Sequence, residues 1–170
     1  MSIRTETIND YKAVYDLNYE AFGSRDDEAK LVEKIRESSR FIPELSIVAE
    51  INGEMVGHIL LSKANVVKDE EFFEVIVLAP VAVKPSFQKK GVGSGLIREG
   101  LKRVKELNYG LVLLIGHPSY YPKFGFKPAR PFGLELLQFD VPDDVFMVCE
   151  LRAGELDLIK GELKYPSAFF

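Results

Sequence analysis

The chain has 170 residues, 46% hydrophobic and 28% charged, with 22 Lys and Arg against 26 Asp and Glu for a formal net charge of −4. This balance suits one soluble globular domain that buries roughly 70% of its unfolded surface, and it argues against nucleic acid as a partner, which calls for a basic face. A single cysteine, Cys149, leaves no internal disulfide, and with two histidines, His58 and His117, no metal-ligand spacing exists.

Ser2 to Thr5 alternates weakly and reads as a first strand. Thr7 then caps a helix, with Asp10 three residues on, and a stripe of Ile8, Tyr11, Val14 or Tyr15, Leu17 or Asn18, and Phe22 runs to a stop at Gly23. A second helix is predicted from Asp27 to Ser38, with Ala29, Leu31, Val32 and Ile35 inward, and Gly23 to Asp27 reads as a solvated loop. Leu45 to Ile51, the turn Asn52-Gly53 and Met55 to Val67 form a hairpin, because Asn-Gly suits the two positive φ values of a type I′ turn. His58, in the second arm, reads as a packed or hydrogen-bonded strand histidine with no chemistry assigned.

Lys68-Asp69-Glu70-Glu71 turns into a long strand, Phe72 to Val83, nearly all apolar from Val75 onward as burial on both faces requires. That apolar run is too short to span a bilayer, and the amino-terminus lacks the features of a signal peptide. The expected location is the cytoplasm, with no membrane partner. Pro80 has no N–H to donate, so a bulge near Leu78 to Pro80 is expected, freeing backbone groups for a ligand. After Pro85, the loop Gln88-Lys89-Lys90-Gly91-Val92-Gly93-Ser94 leads into a helix with Ile97, Leu101, Val104 and Leu107 on one face. Gly91 and Gly93 let the backbone adopt conformations closed to other residues and let a ligand approach it. The free N–H groups at the helix start, with the helix dipole behind them, make an anion site. Lys84, Lys89 and Lys90 add a local basic patch, so the loop reads as a phosphate cradle.

Gly110 is expected to stop this helix. Leu111 to Ile115 is a buried strand, parallel to the one before the helix. The segment Gly116-His117-Pro118-Ser119-Tyr120-Tyr121-Pro122-Lys123-Phe124-Gly125-Phe126 follows, lying beyond the carboxyl end of a parallel strand, where ligands bind in open α/β sheets. Either tyrosine taken alone reads as aromatic packing with its hydroxyl at the surface. Phe146 to Leu151 is a strand holding Cys149 as a small buried hydrophobe. Leu156 to Gly161 has no decisive period, and Tyr165 to Phe170 is an aromatic tail. The chain reads as one domain, 1–170, with about 131–170 as a carboxy-terminal extension of it.

A Walker A loop needs Gly-Lys-Ser/Thr, which is absent, and Gly91-Val92-Gly93-Ser94-Gly95-Leu96 fails the dinucleotide fingerprint at its last position. Gln88-x-x-Gly91-x-Gly93 after Val-x-Val-x-Pro resembles the acetyl-CoA pyrophosphate loop of the GNAT superfamily of N-acetyltransferases. Tyr121-x-x-x-Gly125-Phe126 is similar to the GNAT pattern that sets a tyrosine on a short helix facing the sulfur of CoA. Gly116-x-Pro118-x-Tyr120-Tyr121, with Phe146 to Leu151 and Gly161 to Phe169, resembles the bacterial YhbS-like group of predicted N-acetyltransferases.

The resemblance implies an α/β (α+β) GNAT fold: a mixed central sheet with splayed parallel strands four and five, flanked by helices. It implies an acyltransferase that moves an acetyl group from acetyl-CoA, used as cosubstrate without a metal, to a primary amine by direct attack in a ternary complex. Val81, Ala82 and Val83 would pair with the pantetheine arm. Gln88, Lys89, Lys90, Gly91, Val92, Gly93 and Ser94 would hold the pyrophosphate, with Tyr121 and Phe124 also on the cofactor. Tyr121 would be the general acid and His117 a general base, ahead of Glu74 or an ordered water. The usual fourth-strand glutamate and the asparagine after the fifth strand are missing. The acceptor would be a small-molecule or peptide amine, and the resemblance allows a homodimer. A non-catalytic acyl-CoA sensor on the same fold, or a binder of another phosphorylated ligand, are the competing readings.

Overall fold

The computed structural model describes all 170 residues. In chain order its regular elements are β1 (Ser2–Thr5), α1 (Tyr11–Ala21), α2 (Asp27–Arg36), β2 (Ser46–Ile51), β3 (Glu54–Lys68), β4 (Glu71–Val83), α3 (Val92–Glu106), β5 (Leu111–Ile115), β6 (Phe126–Pro128), β7 (Leu134–Glu135), β8 (Phe146–Glu150), α4 (Glu155–Leu158) and β9 (Gly161–Lys164). The strand order is β1-β2-β3-β4-β5-β8-β6, with β9 on β3 and β7 on β9. β4 and β5 run parallel, with Ile76 opposite Val112 and Val77 opposite Leu113. The mixed sheet with flanking helices is the architecture the sequence predicts. The chain forms two compact units, Met1–Ser62 with Ala79–Arg103, and Lys63–Leu78 with Val104–Phe170.

In the first unit, β1 pairs antiparallel with β2 and β2 with β3. The hairpin turn holds Asn52 at φ 52 and Gly53 at φ 78, both positive as the Asn-Gly pair requires. Asp10 accepts from the Thr7 backbone N–H at 2.7 Å and from the Arg4 guanidinium at 2.7 and 2.9 Å, which fixes the start of the first helix. One face of β3 carries α3 at close range. A Cβ placed on Gly57 would lie 2.7 Å from Val92 and 2.8 Å from Leu96, and one on Gly100 would lie 2.8 Å from Leu61. The opposite face carries α1, whose Val14 and Leu17 are buried. α2 buries Ala29, Val32 and Ile35, while Leu31 is only half-buried and the helix ends at Arg36, two residues short of the expected Ser38.

In the second unit, β5 pairs antiparallel with β8 along its whole length, Leu111 opposite Glu150 through Ile115 opposite Phe146. β8 in turn pairs with β6. The core gathers Val75, Val77, Leu111, Leu113, Leu134, Leu136, Phe146 and Val148. The aromatic tail closes onto it: Tyr165 meets Phe139 edge-on at 5.3 Å, and Phe170 stacks on Phe139 at 5.3 Å.

One expectation changes. The α3 stop is Asn108, which takes the left-handed conformation at φ 69, and not Gly110. Gly110 is glycine for space, since a Cβ there would fall within 2.6 Å of the Glu155 side chain. β4 runs through Pro80 to Val83 with a cis Ala79–Pro80 peptide bond, and its pairs with β5, at Ile76 and Val77, lie ahead of that proline.

Candidate functional site

The strand-to-helix segment lies in the first unit. Ala82 is buried and its neighbours Val81 and Val83 are half-buried. The Lys84 N–H donates to the Val56 carbonyl at 2.8 Å, keeping the strand paired to its last residue. Pro85–Phe87 then forms a 3-10 turn, and the Gln88 side-chain amide donates back to the Val83 carbonyl at 3.2 Å. Lys89 at φ 62 and Gly91 at φ 86 both take the left-handed region. A Cβ on Gly91 would meet nothing within 4 Å, so backbone conformation and not crowding asks for glycine there. Gln88, Lys89, Lys90 and Gly91 are exposed, Gly93 and Ser94 half-buried, and Val92 is buried under Gly57. The Gly95 N–H donates to the Gly91 carbonyl at 3.0 Å and begins the helical ladder. The N–H groups before it in the first turn have no partner within the helix.

The basic patch is smaller than the sequence suggests. Lys84 is ion-paired with Glu54, and that carboxylate raises its pKa. Lys89 and Lys90 remain at the loop, Lys90 lying 5.5 Å from the centre of the Phe87 ring.

The aromatic segment lies in the second unit. Tyr121 opens a 3-10 turn, Tyr121–Phe124, closed by Gly125 at φ 97. Its ring meets Tyr120 edge-on at 5.1 Å and Phe126 at 5.8 Å, while Phe124 is buried. Gly116 makes room for that ring: a Cβ there would lie 2.4 Å from Tyr121 Cε2. Burial pushes the Tyr121 hydroxyl up to about 12, so it holds its proton at neutral pH. His117 is exposed, and its carbonyl accepts from the Tyr120 and Tyr121 N–H groups at 3.2 and 3.4 Å. Glu74 accepts from the Tyr109 hydroxyl at 2.9 Å. Cys149 is a buried thiol, 3.8 Å from the Phe124 carbonyl and pushed up to about 11 by burial, which makes it a poor nucleophile. No group of three or more His, Cys, Asp or Glu is placed to hold a metal ion, and no helix is long and apolar enough to cross a membrane.

The first unit also holds polar groups that motif reading did not assign. His58 is fully buried; its Nδ1 lies 3.3 Å from Asn18 Nδ2 and its Nε2 3.0 Å from Ser46 Oγ. Because the amide nitrogen can only donate, Nδ1 accepts and Nε2 carries the proton. Burial lowers the His58 pKa to about 3 and keeps the ring neutral. A groove of about 620 Å³ runs between α1 and α2, lined by Tyr11, Tyr15, Glu33 and Arg36 among others. Arg36 fills its floor, stacked 3.8 Å over the Tyr11 ring and paired at 2.6 Å with the buried Glu6 carboxylate. None of the residues expected to bind cofactor lines that groove.

Comparison with known proteins bears on both segments. Residues 2–129 match the family described as Acetyltransferase (GNAT) domain. YjhQ of Escherichia coli K12, an uncharacterized N-acetyltransferase, is 36% identical over 121 residues, 71% of this chain and 66% of its own length. YhbS of the same organism, also an uncharacterized N-acetyltransferase, is 29% identical over 169 residues, 99% of this chain and 98% of its own. The crystal structure of E. coli YhbS in complex with CoA superposes with a TM-score of 0.90 at 30% identity, over 99% of this chain and 91% of that one. A GNAT family acetyltransferase from Brucella melitensis in complex with acetyl-CoA superposes with a TM-score of 0.80 at 28% identity, over 99% and 97% of the two chains.

Proposed function

The chain belongs to the GNAT acetyltransferase family and is an acyltransferase, and from that premise we propose that it transfers an acetyl group from acetyl-CoA to a primary amine by direct attack in a ternary complex. The observation that carries this reading is the strand-to-helix loop, with Gly91 at φ 86, open space above it and the α3 amino-terminus behind. Backbone N–H groups of Gln88 to Ser94 would take the pyrophosphate, where an anion gains from both the free donors and the helix dipole. Val81 to Val83 would pair with the amides of the pantetheine arm as an added strand. The protonated Tyr121 hydroxyl would give its proton to the departing sulfur, with Phe124 beneath the segment, and His117 would receive the proton of the amine. General acid help of this kind is worth about 10²–10⁴ in rate. A cytoplasmic enzyme acting on a small-molecule or peptide amine fits the lone buried thiol.

Thermal denaturation with acetyl-CoA, CoA and ATP, all at one equal concentration, tests the ligand class. A ligand bound only to the folded state adds about 2.7 kcal/mol when present at 100 times its dissociation constant. Both CoA species should raise the midpoint and ATP should leave it unchanged; a shift with ATP alone refutes the reading. Acetylation of one member of an amine panel then separates an enzyme from a sensor.

A further inference from the structure

Val83 and Lys84 share one trans peptide group at the end of β4. Its N–H donates to the Val56 carbonyl of β3 at 2.8 Å, and across a trans peptide the C=O points the opposite way. The Val83 carbonyl therefore faces the other edge of β4, where the pairs with β5 lie at Ile76 and Val77, ahead of Pro80. Strand alternation turns the Val83 N–H to the same edge. That is the edge a pantetheine arm would join as an added strand, setting an N–H of its own on the Val83 oxygen.

In the structure Gln88 takes that oxygen, its side-chain Nε2 donating at 3.2 Å. The turn between the two residues does not need this bond. The Phe87 N–H donates to the Lys84 carbonyl at 2.8 Å and the Gln88 N–H to the Pro85 carbonyl at 3.4 Å, so Pro85–Phe87 is closed by its own backbone. Gln88 is exposed, and its amide can turn by the fast rotation open to surface side chains. It also heads the loop proposed for the pyrophosphate. A hydrogen bond to an ionised oxygen is about twice as strong as one to a neutral carbonyl. One amide thus has two places to bond, and they belong to the two halves of the same ligand.

We propose that Gln88 is a specificity residue for full-length CoA: the pantetheine arm displaces its amide from the Val83 carbonyl, and the pyrophosphate receives it. The inference rests on the acetyltransferase reading and assigns how that site tells its cofactor from shorter thioesters. A ligand that carries the pyrophosphate exchanges the Gln88 bond for a stronger one. A ligand that ends at pantetheine breaks the bond and gains nothing in return. Removing the amide reverses both terms, costing CoA a little affinity and favouring pantetheine. A side chain that only braced the loop would weaken both ligands together.

The test titrates CoA and pantetheine into wild type, Gln88→Ala and Gln88→Met, followed by amide NMR, which also reports whether each variant is folded. Each variant should bind CoA no more than about 5-fold more weakly and pantetheine about 3-fold more tightly, lowering the preference for CoA roughly 10-fold. In the wild type, saturation with CoA should shift the Gln88 side-chain amide signals, a readout that needs no variant. An unchanged preference, an equal loss for both ligands, or pantetheine binding to none of the three proteins overturns the assignment. So do Gln88 signals that CoA leaves in place, because the two donors would then share the carbonyl. Wild type that fails to bind CoA at all refutes the acetyltransferase reading itself, and the two failures are told apart.

Discussion

The strand-to-helix loop and the aromatic segment are built from different materials. At Gln88 to Ser94 the groups proposed to face the ligand belong to the backbone, and the side chains that matter are those that let the backbone turn, as at Gly91 with φ 86. At Gly116 to Phe126 the proposed working group is a single phenol, held in place by Tyr120, Phe126 and the missing Cβ of Gly116. A cradle of N–H groups tolerates exchange of its exposed side chains. A positioned hydroxyl does not tolerate loss of one oxygen or one misplaced ring. The two regions should therefore respond oppositely to conservative mutation.

Tyr121→Phe gives the largest effect expected from one atom. It should lower kcat roughly 10²-fold or more while acetyl-CoA affinity changes little, the pattern of an interaction made mainly in the transition state. Tyr120→Phe is the control, and a crippled Tyr120→Phe beside a normal Tyr121→Phe would move the acid role to the neighbouring residue. Gly116→Ala tests the packing beneath. The added methyl collides with the Tyr121 ring, so we expect a stability loss of about 1–3 kcal/mol by urea denaturation, accompanied by reduced kcat. Full stability and full activity would show that the ring position is not demanding.

Acid and alkali separate the units in a second way. The folded first unit keeps His58 neutral down to about pH 3, while the unfolded chain protonates it near 6.5. Stability from this group is therefore complete above pH 6.5 and falls as pH drops toward 3, by about 2 kcal/mol at pH 5. In the second unit Tyr121 runs the other way. Its folded value of about 12 lies above the ordinary 10, so its contribution is complete below pH 10 and falls as pH rises toward 12. Hydrogen exchange should show the first unit loosening first in acid, and His58→Gln should flatten the acid limb. An acid limb unchanged in His58→Gln would assign it to other groups. The smallest effect belongs to Lys89→Ala and Lys90→Ala. Exposed charges are screened, so CoA affinity should fall by no more than about 1 kcal/mol for either. A loss of 100-fold would make the cradle a side-chain site after all.

The same contrast explains what could be read from the sequence. Asn52-Gly53, Thr7 with Asp10, and Gly91 each declare a local backbone requirement, and each holds in the structure. The parallel β4 and β5 pair followed from two apolar runs around an amphipathic helix. Features set by distant chain segments left no local signal. Lys84 reads as a free cation until Glu54, 30 residues away, is seen beside it. Gly110 reads as a helix stop, but its reason is the Glu155 side chain, and Asn108 makes the turn. Gly116 reads as loop punctuation, and its reason is the Tyr121 ring. Glu28 stands in a run of acids, Asp26-Asp27-Glu28, that looks uniformly solvated; only packing shows that one of the three turns inward.

Calorimetric titration of CoA into wild type and Gly93→Trp tests the central claim most directly. Gly93 lies in the first turn of α3, where an indole would stand across the N–H groups assigned to the pyrophosphate. The account predicts saturable binding to the wild type and none to Gly93→Trp, with a native far-UV spectrum in both. Equal CoA affinity in the two well-folded proteins would contradict it.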